Sequence, residues 1–326
     1  MKTDKAEVKR RLLLLIKDVN LVNEYIRRFG HTIDIKNIKA VKENRNSLNQ
    51  TNQTKNAPGK EPVFEIKVSC PICGKTDITC YELRAKSQQI KQNLFLLPVY
   101  SGANGYPTTD YSLLSVTVCP ECLFASPDKK DFNRKALSGS KTLEAQHPAN
   151  LVSSLKDRAK ERKMMLTPIV NFENYFKAPR CANVAIDSYR LAMTRAQMEA
   201  WFEMPYSYFK QGFYALKIAK IQQDAGMDNS DTLNEALGFF EEAYRTSNCA
   251  SDEHELQVIY LIIAIMLTLG DAESANSYLS VFSDLKNERI EEMKKNPVLN
   301  TFYIDKWTEK ARYLWEEREN PDIFKM

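Results

Sequence analysis

An α+β chain that is mostly α, with a small β module ahead of a helical array, is predicted by three observations. Two C-P-x-C pairs, Cys70/Cys73 and Cys119/Cys122, are separated by 45 residues. Each follows a short stretch with the alternation of a strand, "VFEIKV" before the first and "LLSVTV" before the second. From about residue 150 apolar side chains recur every three or four positions, and glycine is scarce, 10 in 326 residues.

Taken in order, the chain divides into four parts. In residues 1–41, Leu12, Leu15, Val19, Val22 and Ile26 lie on one face of a helix that Gly30 ends. That face packs on its own chain or on a partner. Residues 42–62 are Asn-rich, polar and punctuated by Pro and Gly, the composition of a flexible linker. Residues 63–135 hold both cysteine pairs, and the turn formers of "PVYSGANGYPTTDY" between them predict a long insert. Residues 136–326 read as helices. Ala185, Tyr189 and Ala192 repeat a spacing that recurs as Ala236, Phe240 and Ala243, and again as Ala275, Leu279 and Phe282. Three copies suggest a helical repeat. Ser251 is placed to cap one helix and Gly270 to end it, and Ile304, Trp307, Ala311 and Leu314 form one face of a last helix that closes the stack.

The cysteines carry the chemistry. Two intervening residues let both thiolates of a pair turn to one point, the proline after the first cysteine presets that turn, and Gly74 permits tight backbone after the second. Four sulfurs at about 2.3 Å from one ion are what structural Zn²⁺ requires, so Cys70, Cys73, Cys119 and Cys122 are the expected metal ligands of a zinc-ribbon-like module. An iron–sulfur cluster would accept the same ligands. A C-x-x-C oxidoreductase would carry one pair after a βαβ pattern, which is not seen here. Cys80, Cys181 and Cys249 are expected as small buried apolar residues, and His31, His147 and His254 sit in no ligand or catalytic motif.

With 43% hydrophobic and 27% charged residues the composition is that of an ordinary soluble protein. Seven cysteines, four of them in close pairs, fit a reducing compartment; the N-terminal apolar run is five residues long, and the longest apolar stretch, "VIYLIIAIMLTLG", is short of a membrane span. A cytoplasmic protein without a transmembrane segment is expected. Charge is polarised, +7 over residues 1–62 and −9 over 181–326, within a net +4. The run Lys156, Arg158, Lys160, Arg162, Lys163 reads as a solvated helix face, or else as phosphate contacts with Tyr100, Tyr106 and Tyr111 as stacking residues. No H-E-x-x-H, G-x-S-x-G, dinucleotide or phosphate-loop motif occurs, so no catalytic residues and no enzyme activity are expected.

The order of these parts resembles a known family. A strand into C-P-x-C, a tyrosine-containing insert, V-x-V-C-P-x-C, the pair Asp131–Phe132 in "KKDF", then "YRLA" and a stretch from "LQVIYLI" to "LGD" are similar to the bacterial DUF2225 proteins. That resemblance implies a zinc-binding front joined to tetratricopeptide-like helices over roughly residues 63–320, with Cys70, Cys73, Cys119 and Cys122 as the matching metal-binding cysteines. It implies no activity, because the family has none assigned. The family's second knuckle usually reads C-G-Y-A-A where this chain has Cys122, Leu123, Phe124, Ala125 and Ser126. The expected function is a non-enzymatic zinc-binding adaptor or scaffold for a protein partner, with Lys210, Lys217 and Lys220 projecting into its groove. The alternative is a zinc-ribbon nucleic-acid-binding protein with a helical dimerisation or regulatory domain.

Overall fold

The computed structural model describes residues 60–135, 142–167, 169–249, 251–296 and 300–326. The expected N-terminal helix and nearly all of the linker after it lie outside these residues. The alternation in "VFEIKV" becomes strand β1 (Val63–Val68), paired antiparallel with β2 (Ile78–Leu83) from Val63 opposite Leu83 to Val68 opposite Ile78. The insert forms a hairpin of β3 (Gln88–Gln92) and β4 (Pro98–Gly102). Of "LLSVTV" only the last two residues are strand, β5 (Thr117–Val118), which pairs with β6 (Ala125–Ser126). A fourth short pair, β7 (Arg134–Lys135) with β8 (Thr142–Leu143), follows, and Ser69 and Asn133 exchange backbone hydrogen bonds at 2.9 and 3.0 Å. That exchange brings the chain after the second cysteine pair alongside the first.

The rest is helical: α1 (Ala149–Asp157), α2 (Ala159–Met165), α3 (Phe172–Tyr175), α4 (Ala182–Trp201), α5 (Ser207–Asp224), α6 (Ser230–Arg245), α7 (Asp252–Leu269), α8 (Ala272–Lys295) and α9 (Phe302–Glu316). The fold is α+β, mostly helical, with small antiparallel sheets. From α4 to α8 each helix packs on the next, and α9 folds back on α7 and α8. The small and large apolar positions that repeat in the sequence make these contacts, with Ala185, Tyr189, Ala236, Phe240 and Ala275 all fully buried. Ser251 caps α7 through its side chain, and Gly270 ends it in the left-handed conformation at φ 84°. The apolar run of α7 is explained by position, since α6, α8 and α9 all pack on it. Among the described residues no helix is long and apolar enough to cross a membrane.

Lys60–Met326 is one compact unit, and the cysteine-bearing part shares its core with the helices. Phe95, Leu96 and Leu97, in the turn of the insert, enter the same apolar cluster as α7, and the Tyr260 hydroxyl donates to the Leu94 carbonyl at 2.8 Å. Arg180, 5% exposed, donates from Nη1 to the Val116 carbonyl at 2.7 Å and from Nε to the Phe176 carbonyl at 2.8 Å. Tyr189 of α4 meets Ser115 and the Ser112 carbonyl at 2.7 and 3.1 Å. Beside the insert turn a groove of about 850 Å³ opens against α9, lined by Asn93, Leu96, Tyr260, Lys306, Lys310 and Tyr313 among others.

The contact of α5 with α6 is tight at Gly212, where an added Cβ would lie 2.9 Å from two ring carbons of the fully buried Phe240. Alanine in a helix interior is favoured over glycine by about 1 kcal/mol, but overpacking a tight core costs about 1–3 kcal/mol. Gly238, on α6, has nothing within 4 Å of the same built atom. Gly212→Ala should therefore lower the denaturation midpoint and Gly238→Ala raise it by the equivalent of about 1 kcal/mol. Chemical unfolding of both variants checks the opposite signs.

Candidate metal centre

Each cysteine pair lies in the turn of a hairpin, Cys70 and Cys73 between β1 and β2, Cys119 and Cys122 between β5 and β6. The two turns close alike. Cys70 N–H donates to the Lys75 carbonyl at 2.8 Å and Gly74 N–H to the Cys70 carbonyl at 3.1 Å; Cys119 N–H donates to the Phe124 carbonyl at 2.8 Å and Leu123 N–H to the Cys119 carbonyl at 2.9 Å. Gly74 and Leu123 occupy the same left-handed position, at φ 76° and 57°. For leucine this conformation costs about 1–2 kcal/mol. Its side chain is fully buried, which contributes about 1.5–3 kcal/mol, so packing offsets the strain and the second knuckle keeps its shape without glycine.

The hairpins bring all four sulfurs within 4.8 Å of one another, with Cys70 Sγ 3.6 Å from Cys122 Sγ and Cys73 Sγ 3.5 Å from Cys119 Sγ. Three of the cysteines are buried and Cys73 is exposed. A small apolar shell surrounds them, built from Val68, Ile72, Ile78, Phe124 and Phe132 and from Leu151, Leu155 and Met198 of α1 and α4. Sulfurs so crowded compete for charge. The hydrogen bonds they share raise Cys70 and Cys119 above the ordinary thiol value, while bonds from Cys119 and Cys70 hold Cys122 well below it. Four thiolates together need a cation between them, and a closed set of four sulfur donors fits a metal ion held for structure.

Around this cluster lies a network of charges whose pairing the sequence did not reveal. Asp131 Oδ2 accepts from Ser126 Oγ at 2.5 Å and pairs with Arg195 Nη1; Arg195 Nη2 lies 2.7 Å from Glu199 Oε1, and Lys210 Nζ 2.6 Å from Glu199 Oε2. Arg195 and Glu199 are 7% and 1% exposed, and the Arg195 guanidinium stands 5.2 Å from the Phe124 ring centroid. Charge alternates through this chain, Asp131, Arg195, Glu199, Lys210, and it joins the second knuckle to α4 and α5. Its trace in the sequence is the i, i+4 spacing of Arg195 and Glu199 on a face otherwise made of Ala192, Ala196 and Met198.

Several sequence readings need correcting. The basic run is not one solvated face: it spans α1 and α2, Arg158 lies over the Trp201 ring at 4.4 Å, Lys163 pairs with Glu121 at 3.5 Å, and Arg162 is 1% exposed. Tyr111 donates to the Tyr81 carbonyl at 2.6 Å, and its ring packs edge-on against Tyr100, so neither is a free stacking platform. Lys210 is spent on Glu199, Lys220 pairs with Asp224 at 2.5 Å, and Lys217 lies against the Tyr189 and Phe213 rings, where burial lowers its amine to about 8. Cys80 is buried as expected, whereas Cys181, at the start of α4, is exposed and Cys249 is half-buried. His147 Nε2 donates to the Asp131 carbonyl at 3.0 Å, and His254 contacts the Ser251 cap.

No curated protein and no solved structure matches the chain. The model of the family described as "Uncharacterized protein conserved in bacteria (DUF2225)" matches residues 63–301, a span that contains all four clustered cysteines and helices α1 to α8. The shared span begins with the first strand of the cysteine module and runs through most of the helices packed on it, so the chain belongs to the DUF2225 family.

Proposed function

We propose that this protein is a non-enzymatic zinc-binding adaptor, in which a structural Zn²⁺ on Cys70, Cys73, Cys119 and Cys122 braces a tetratricopeptide-like helical array that holds a partner protein. Zinc is favoured by an all-sulfur donor set in two hairpin turns, which leaves no ligand position for a reacting water. The adaptor role rests on one observation, the surface of α9. Phe302, Lys306, Lys310 and Tyr313 fall on one side of that helix by their spacing. Phe302 is 64% and Tyr313 47% exposed, and Lys306, Lys310 and Tyr313 line the 850 Å³ groove. Lys306 pairs with Glu253 at 2.8 Å, and Lys310, between exposed aromatic rings, suits an acidic segment of a partner that also offers apolar side chains. Binding to nucleic acid has weaker support, since three of the five basic residues at 156–163 are taken by an ion pair, a ring face and the interior.

The experiment is capture from native cells at moderate salt with the full chain and with the variant Lys306→Glu/Lys310→Glu as baits. A partner held by the wild type and released by the variant is the expected result. Recovery of no partner, or equal recovery by both baits, would overturn the adaptor reading.

A further inference from the structure

Arg162, on α2, is the largest of the fully buried side chains, 1% exposed beneath the second knuckle. Its Nε and Nη2 donate to the Cys122 carbonyl at 3.1 and 2.8 Å, and Nη2 also donates to the Leu155 carbonyl at 2.5 Å. Nη1 is buried with no hydrogen-bond partner among the described residues. The carboxylates next to Arg162 and to Cys122 in sequence pair with others, Glu161 with Arg158 and Glu121 with Lys163, each at 3.5 Å. A guanidinium is always protonated, and taking an uncompensated ion out of water costs several kcal/mol. Carbonyl oxygens satisfy donors but do not cancel a charge. The compensating charge available on this side of the fold is that of the cysteine cluster, whose member Cys122 it holds directly.

A divalent ion with four thiolates carries a net charge of −2. We infer that Arg162 is the counter-charge of that loaded centre, a positioning residue that halves the buried negative charge and retains the ion, while the same fork fixes the carbonyl of the ligand Cys122. The inference rests on the reading that the four cysteines bind zinc. It reverses the ordinary expectation for a buried hydrogen-bonded arginine: Arg162 stabilises the loaded protein and is a liability in the stripped one, where its charge has lost its counterpart.

The test uses the full chain, loaded with one equivalent of zinc or stripped with a chelator, as wild type, Arg162→Met and Arg162→Lys. Zinc retention against a chromophoric chelator and thermal melting are both read. Substitution of groups that hold a metal's ligands in place typically costs about 10–100-fold in metal affinity. Arg162→Met should lose at least about tenfold in zinc affinity, melt lower than wild type when loaded, and melt no lower than wild type when stripped. Arg162→Lys, which keeps the charge and loses the fork, should retain zinc within a few-fold of wild type. Three results would overturn the inference: wild-type affinity in Arg162→Met, an equal melting loss in loaded and stripped forms, or a loss in Arg162→Lys as large as in Arg162→Met. If Arg162→Met does not fold when loaded, Arg162→Lys decides alone: affinity within a few-fold of wild type supports the inference, and a loss of about tenfold or more overturns it. Failure of the wild type itself to bind zinc would instead remove the metal reading, so the two failures are distinguishable.

Discussion

Cys119→Ser should melt about 10 °C below the wild type and should no longer hold one metal ion per chain. Cys119 Sγ is fully buried and lies 3.5 Å from Cys73 Sγ, so its loss opens the cluster from within. Structural zinc supplies roughly 10–16 kcal/mol to small zinc-finger peptides at neutral pH. Even a third of that figure, at about 2–4 °C per kcal/mol for a chain of this size, accounts for the expected drop. Cys181→Ser is the control, because Cys181 is exposed and distant from the cluster in sequence; it stands at the N-cap of α4, where serine is favoured, so its melting should not fall. Differential scanning calorimetry with elemental analysis of the same samples decides the matter. Unchanged melting and metal content in Cys119→Ser would remove the metal centre from this protein.

The second large effect is expected at Arg195. Arg195→Met leaves Glu199, 1% exposed, with Lys210 alone and leaves Asp131 with Ser126 alone. Breaking a buried ion pair from one side costs about 3–5 kcal/mol, because the other charge stays buried. A double-mutant cycle with Asp131→Asn should recover part of that cost, and full additivity of the two variants would mean that the groups act separately. The cost should also depend on pH. Burial alone would raise the Asp131 carboxyl, but the Arg195 charge and the hydrogen bonds from Arg195 and Ser126 outweigh it and hold the group below its ordinary value. A depressed carboxyl contributes stability above its unfolded pKa, about 3.9, that is lost as pH falls through the lower folded value. The gap between wild type and Arg195→Met in urea unfolding should therefore be full at neutral pH and shrink below about pH 4.

Local patterns in the sequence translated directly into structure. The two C-P-x-C turns, the Ser251 cap, the Gly270 stop and the face of Ile304, Trp307, Ala311 and Leu314 each depend on residues a few positions apart, and all appear where spacing put them. Pairings across long stretches of chain were not legible. Periodicity shows that a helix has a buried side, but it does not say that Asp131 meets Arg195 or that Arg162 turns inward beneath Cys122. Charge density at 156–163 suggested solvent for the same reason, since composition cannot see which of five cations has a carbonyl and a sulfur cluster waiting for it. The boundary near residue 135 shows the same limit. Composition changes there, yet Phe95, Leu97, Val116 and Leu123 share one core with the helices.

The hydrogen bond from Tyr260 to Leu94 spans 166 positions, and the apolar turn beside it is covered by helix α7. Ribosomes add about 5–20 residues per second, so Phe95, Leu96 and Leu97 emerge on the order of 10 s before the segment that shelters them. For that interval the nascent polypeptide offers a greasy loop to chaperones. Truncated translation products that stop short of α7 should consequently be sticky and short-lived.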